Sequence, residues 1–301
     1  MTPVFISAYA ASPAHSRWDP VLEAELLPAL CALPGVVGLE VPWLGALHPH
    51  DPEWFVRHVP PAARLAVTPL PWIMRRTART PAYGIASEDA GGRAAAIDDL
   101  RRVRDDVRRL PGAVEFVALH TAPRGAADPA ALAASLGELR SWDWGGARLV
   151  LEHCDAVRPG RPFEKGFLAL ADELAVLEGT DVGLWLNWGR SAIELRDADA
   201  VTAQIRDAAA SGRLVGLTFS GAAAENGPYG TAWTDTHPPL LSTDPGSKSL
   251  LDDAHVAAAI AAAPGIPAWG VKVSRLPADR KAADVVATVA RNLDVVRRLS
   301  R

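Results

Sequence analysis

Cysteine is nearly absent from this sequence: Cys31 and Cys154 are the only two. So few cannot build a disulfide-stapled scaffold, and their separation is not a metal-binding spacing. Cys31 falls in an apolar helix pattern and Cys154 directly after a strand pattern. Both read as reduced thiols of a cytoplasmic protein. An excess of one charge is also lacking. Lys and Arg total 31 against 35 Asp and Glu, a formal net charge of -4, so no field gathers nucleic acid or an anionic membrane. The arginines of Arg101–Arg109 are interrupted by Asp105 and Asp106 and read as a solvated helix face. No window approaches the roughly 18 apolar residues of a membrane helix. Met1–Ala10 lacks the basic and apolar segments of a signal peptide. No linker or low-complexity tract divides the chain. The expectation is one cytoplasmic domain over residues 1–301, with neither nucleic acid nor membrane as partner.

What is present is alternation. Hydrophobic residues make up 49% and charged residues 22%, enough apolar side chain for a sizeable core. Short apolar runs occur at Val4–Ala8, Val36–Val41, Leu65–Leu70, Val114–His120, Arg148–His153, Val182–Trp188, Leu214–Ser220 and Ala268–Ser274. Most are apolar at successive positions, as strands covered on both faces of a parallel sheet must be. Between them, Pro20–Ala32, Gly92–Leu110, Pro129–Trp142, Pro162–Leu177, Asp197–Ser211 and Asp252–Ala262 carry helical spacing, and Asp279–Leu299 closes the chain. Only Asp51–Val59 is a weak connection. Several helices open at Asp or Ser, and several stop at Pro34-Gly35, Pro111-Gly112 or Pro264-Gly265. Eight strand–helix units of this length predict an α/β fold, a single parallel (β/α)8 TIM barrel. The first strand runs into Tyr9-Ala10-Ala11-Ser12 with no Gly-x-Gly-x-x-Gly, so no nucleotide cofactor is expected.

In such a barrel the carboxyl ends of the strands face the mouth where substrate binds. Polar residues stand there in sequence order: Glu40, Thr68, His120, Glu152, Asn187, Ser220 and Lys272. One could be a structural hydrogen-bonder. Seven at one rim predict a ligand site, because a polar group left unpaired in a core is costly. Glu152, at the end of Leu149-Val150-Leu151, could ligate a divalent metal or take a proton from carbon; the structural alternative is an ion pair with Lys272 or Arg190. Glu40 is similar and could equally anchor a loop. Asn187 can donate and accept, Trp188 can offer a sugar a stacking face or simply pack, and Arg190 can clamp an acidic group. Ten tryptophans are present, with Trp43, Trp72, Trp188 and Trp233 in loops or just after strands. After the seventh strand a long loop to Thr243 carries Tyr229, Trp233 and Asp235-Thr236-His237. Loops of this length are usually functional. Asp235 and His237 suit a metal site or an acid–base pair, or a proline-stiffened turn. His15, His48, His50, His58 and His255 read as surface residues.

With Leu151-Glu152, Leu186-Asn187 and Asp235-Thr236-His237 in place, the whole chain resembles the xylose-isomerase-like barrel superfamily. That superfamily includes ketose 3-epimerases, inosose dehydratases and endonuclease-IV-type nucleases. The greatest resemblance is to a bacterial branch grouped with sugar isomerases. Epimerase-type members bind one Mn, Mg or Co ion through Glu on strand five, Asp on six, His on seven and Glu on eight. Here Glu152 matches the first ligand, while Asn187, Ser220 and Lys272 stand where Asp, His and Glu are expected. Asp235 and His237 could restore two ligands. The resemblance thus leaves two expectations open: a divalent metal (Mn, Mg, Co or Zn) held by Glu152, Asp235 and His237, or none.

The activity implied is isomerisation or epimerisation of a sugar or sugar acid, by proton removal beside a carbonyl. Glu152 is the expected base, Lys272 or a metal the oxyanion stabiliser, and His120 the proton carrier at hydroxyl oxygens. Glu40, Trp43, Asn187, Trp188, Arg190 and Tyr229 are the expected substrate contacts. Two alternatives use the same residues: a dehydratase or lyase, and a non-catalytic sugar-binding protein with a decayed metal site. A nuclease fits least, since few of its many His positions are His here. Relatives pair as dimers or tetramers, so a homo-oligomer is implied.

Overall fold

The computed structural model describes residues 2–110 and 113–301; the helix stop expected at Pro111-Gly112 lies outside them. Among the described residues the strands are β1 (Val4–Ser7), β2 (Val36–Pro42), β3 (Arg64–Thr68), β4 (Val114–Leu119), β5 (Arg148–Glu152), β6 (Gly183–Asn187), β7 (Leu214–Phe219) and β8 (Ala268–Val271). They close in chain order into a parallel barrel, as the alternation predicts. The helices are α1 (Ala8–Ala11), α2 (Pro20–Cys31), α3 (Pro52–His58), α4 (Leu70–Arg79), α5 (Ala90–Arg108), α6 (Pro129–Leu139), α7 (Leu170–Leu177), α8 (Trp188–Leu195), α9 (Ala198–Ala210), α10 (Asp253–Ala262) and α11 (Ala282–Leu299). Among the described residues, no helix is long and apolar enough to cross a membrane.

The chain divides into two compact units. One comprises Met1–Glu40, His58–Ala63 and Leu186–Arg301, the other Val41–Arg57 and Arg64–Trp185. In the first, β8 pairs with both β7 and β1, and β1 with β2. Phe219 and Ile6 each pair with Val271, and Ser7 pairs with Glu40. In the second, β4 pairs with β3 and β5, and Leu119 sits opposite Leu151. Every residue of β1 and β8 is buried, which is why, apart from Ser7 at the end of β1, these strands carry no polar residue in alternation.

Aspartates start the helices. Asp19, Asp89, Asp128, Asp197 and Asp252 each accept backbone N–H bonds from the first turn of α2, α5, α6, α9 and α10, satisfying donors that have no helical partner.

Three expectations need correction. Leu70 does not end β3; it begins α4, with a proline accommodated in the first turn, where no helical N–H is lost. Trp72 therefore lies on a helix, not in a loop. Trp188 likewise does not end β6. Asn187 turns its side-chain oxygen to the Arg190 N–H at 3.3 Å and caps α8. Gly189 lets α8 sit against the end of β7, since a Cβ there would lie 2.7 Å from the carbonyl oxygens of Ser220 and Gly221. Finally, the helix expected over Pro162–Leu177 begins only at Leu170. Asp155 Oδ2 takes the N–H groups of Glu164 and Lys165 at 2.7 and 2.9 Å, and Gly166 has φ of +63°, so that segment is a loop wrapped on a carboxylate.

Candidate active site

Strand register assembles the first cluster. Lys272 follows Val271, whose partner is Ile6, and Ser7 pairs with Glu40. The ends of β8, β1 and β2 are therefore level. Tyr9, two residues past β1, completes the group. Lys272 Nζ donates to Tyr9 Oη at 2.6 Å and to Glu40 Oε1 at 3.0 Å, and it lies 4.7 Å from the centre of the Tyr9 ring. The Lys272 side chain is 1% exposed and that of Glu40 16%. Burial, then the Glu40 carboxylate, push the Tyr9 phenol well above its ordinary range, against the opposing pull of Lys272 and Arg190. Tyr9 thus keeps its proton, and because its oxygen accepts from Lys272, that proton is available to another acceptor.

The end of β7 and its loop form a second group in the same unit. Arg190, 1% exposed, donates from Nε to Asp235 Oδ2 at 2.9 Å. His237 Nδ1 lies 3.2 Å from Asp235 Oδ1 and 2.9 Å from Ser220 Oγ. Both contacts use one ring nitrogen, so Ser220, His237 and Asp235 are not a nucleophile–base–acid relay, which needs both nitrogens. His237 adopts φ of 53° and Trp233 φ of 59°, and the loop is tied down where Ser274 donates from its backbone N–H to His237 O and from Oγ to Thr236 O, both at 2.7 Å. Two buried donors at strand ends, Ser7 Oγ and Asn187 Nδ2, have no hydrogen-bond partner among the described residues. Such groups are rare in a folded interior and point to ligand or solvent.

In the other unit, His120 Nε2 and Glu152 Oε2 are 2.8 Å apart, with side chains 0% and 5% exposed. Behind them, Glu173 receives Thr121 Oγ1 at 2.8 Å and holds His153 Nδ1 at 2.7 Å. This layer fixes the residues next to His120 and Glu152.

The expected site residues thus divide. Glu40 and Lys272 are together, His120 and Glu152 are together, and Arg190, Asp235 and His237 are together. The aromatic contacts are corrected. Trp43 donates its indole N–H to Asp106 at 2.8 Å and packs edge-on against Trp72, so its face belongs to the helix layer. Trp188 is fully buried against His255 of α10 and offers a sugar no face. Tyr229 donates to Asp244 at 2.7 Å as part of its loop. Thr68 accepts the N–H of Leu70, the first residue of α4, at 3.4 Å. His48 is buried, not a surface residue. Its Nδ1 accepts from the His50 and Asp51 N–H groups, and burial holds its pKa down at about 4. Tyr9 was not anticipated, although its place two residues beyond a strand end was a usable signal.

Those donors do not fit a divalent cation. At the ends of β6, β7 and β8 stand an amide already capping a helix, a hydroxyl bound to imidazole, and an ammonium. The one nearby loop carboxylate, Asp235, is neutralised by Arg190. A divalent ion would face two fixed positive charges there, with no uncommitted carboxylate beside them among the described residues. The surroundings of Asp235 and His237 therefore do not support the metal expected at Glu152, Asp235 and His237.

Comparison with known proteins agrees with the fold. The model of a family described as a domain of unknown function, DUF4862, matches residues 5–288. The uncharacterized protein STM3670 of Salmonella typhimurium strain LT2 is 35% identical over 271 residues, covering 87% of this chain and 86% of that protein. Among solved structures, D-psicose 3-epimerase from Clostridium cellulolyticum H10 superposes with a TM-score of 0.57 at 12% identity, covering 100% of both chains. D-allulose 3-epimerase from Methylomonas sp. gives 0.58 at 15% identity and 99% of both chains. Endonuclease IV from Thermus thermophilus gives 0.52 at 16% identity, over 99% of this chain and 98% of that one. These likenesses show a shared (β/α)8 barrel fold. At such identities the likeness establishes fold, and chemistry has to be argued from the site.

Proposed function

The chain belongs to the DUF4862 family, and we propose that it is a sugar or sugar-acid isomerase or epimerase acting by proton removal beside a carbonyl. The observation that carries this reading is the buried Lys272–Tyr9–Glu40 cluster at the ends of β8, β1 and β2. Proton abstraction beside a carbonyl places negative charge on the carbonyl oxygen, and the enzyme must meet it with preorganised donors in a site shielded from water. Lys272 supplies positive charge and Tyr9 a phenol that stays protonated. Glu40 keeps the cluster near neutral before substrate arrives.

Proton transfer at carbon is assigned to Glu152, which His120 orients and can relieve of a proton. The unsatisfied donors on Ser7 and Asn187 suit the hydroxyls of a small carbohydrate. Arg190, tied to Asp235, orders the loop after β7 in this reading instead of clamping an acidic substrate. Residues 1–301 act as one cytoplasmic catalytic domain, without a nucleotide cofactor.

The test is exchange. The full-length protein is incubated in D2O with ketoses, aldoses and sugar acids, and the hydrogen beside each carbonyl is followed by NMR. Deuterium incorporation with appearance of an isomer or epimer supports the proposal. Tight binding by calorimetry without exchange would instead identify a sugar-binding protein, and loss of a hydroxyl from the product a dehydratase.

A further inference from the structure

Resting on that reading, we infer that Lys272 meets the carbonyl covalently: its ε-amine condenses with the carbonyl carbon of a ketose to form an iminium, with Glu40 and Tyr9 handling the protons. An amine becomes a useful nucleophile when it is desolvated and has a base beside it. Lys272 is 1% exposed, with a carboxylate oxygen 3.0 Å and a phenol oxygen 2.6 Å from the amine. Arginine carries most of the positive charge of this chain. Of 31 basic residues only Lys165, Lys248, Lys272 and Lys281 are lysine. A guanidinium would pair with Glu40 equally well and has wider hydrogen-bonding reach, but it cannot form an imine. The lysine at this position is therefore informative chemically as well as electrostatically.

The steps balance without an outside oxidant or reductant. Glu40 takes one proton from the ammonium. The freed nitrogen lone pair attacks the carbonyl carbon, forming a C–N bond, and the π pair moves to oxygen. That oxygen takes the Tyr9 proton, and the phenolate is reprotonated from the adduct nitrogen. Protonated Glu40 then delivers its proton to the new hydroxyl, which leaves as water while the nitrogen lone pair forms the C=N bond. The iminium carries the positive charge directly on the former carbonyl, so the neighbouring C–H gives its proton to Glu152, the base assigned above, leaving an enamine, which takes a proton back at carbon to re-form the iminium. Water reverses the condensation and releases product. The loop after β7 is pinned at Thr236 and His237 by Ser274, two residues beyond Lys272.

The experiment is reductive trapping. The full-length protein is incubated with dihydroxyacetone or D-fructose in the presence of sodium cyanoborohydride, then analysed by intact mass and peptide mapping. The expected product is heavier by the mass of the ketose less one oxygen, with the label on Lys272 at least tenfold above that on Lys165, Lys248 or Lys281. Lys272→Arg should lose the adduct, and Tyr9→Phe, which keeps the ring, should slow its formation about tenfold to a hundredfold. Mapping in the unsubstituted protein keeps the test valid if Lys272→Arg fails to fold. A ketose that exchanges its hydrogen in D2O but leaves no adduct on Lys272 would overturn the covalent role and leave the isomerase reading standing. An adduct on Lys272 without exchange would support the iminium and remove the isomerase reading. Neither adduct nor exchange would overturn both.

Discussion

His120 Nε2 lies 2.8 Å from Glu152 Oε2 because the register of β4 against β5 pairs Leu119 with Leu151, so both side chains leave their strands at one level. The distance is that of a charge-assisted hydrogen bond. A carboxylate held in this way has its orientation set before substrate binds, and imidazole can receive or return a proton without solvent.

Glu152→Gln keeps the shape and removes the base. We expect deuterium exchange at the substrate carbon to fall about 10²- to 10⁴-fold, with the thermal unfolding midpoint little changed. A variant retaining full exchange would remove Glu152 from the chemistry.

Lys272→Met leaves the Glu40 carboxylate without its cation in a mostly buried site. Breaking a buried pair by removing one partner costs about 3–5 kcal/mol. Lys272→Met with Glu40→Gln should recover a large part of that cost, because the stranded charge is gone. Denaturant unfolding of the two single variants and the double variant measures the coupling; strict additivity would mean that the pair does not interact.

Asp235→Asn should loosen the loop after β7. The Arg190–Asp235 pair is almost entirely buried, with side chains 1% and 7% exposed. Amide exchange of residues 221–243 should accelerate at least tenfold, about 1.4 kcal/mol or more of local stability, while β4 and β5 keep their protection. Unchanged exchange in the loop would show that Arg190 does not anchor it.

Glu23 provides a pH dependence whose sign is definite. Burial, opposed by the hydrogen bond from Ser12, raises its pKa from 4.5 to about 7. In the unfolded chain Glu23 ionises first, so the folded state holds its proton more tightly. Stability from this residue is full below about pH 4.5 and is lost as pH rises to about 7, by roughly 3 kcal/mol in all. Glu23→Gln should flatten this part of the stability profile and stabilise the protein at neutral pH. A profile that keeps its slope between those values would contradict the assignment.

Much of the barrel was legible because its signals are local. An apolar run covered on both faces, an aspartate before a helix and a glycine after one are all read within a few residues. The failures were local competitions too. Asn187 and Trp188 continue an apolar run, yet the Asn187 side chain caps a helix that begins at the next residue. The Pro162–Leu177 pattern looked helical, but Asp155 claims the backbone N–H groups of Glu164 and Lys165 from outside the segment. The tryptophans were harder still. Nothing in the neighbourhood of Trp43 or Trp188 says whether its ring faces a ligand or packs against α5 or α10.

The sequence by itself determined the alternation of strand and helix, the closure of eight units, and which polar side chains stand at the strand ends, because periodicity and burial preference are properties of adjacent residues. Only the tertiary structure decided which of those side chains share a proton or a charge. Lys272 meets Tyr9 across 263 positions of sequence because β8 lies beside β1 in the closed barrel, and hydrogen bonds depend on register between strands, which no local pattern encodes.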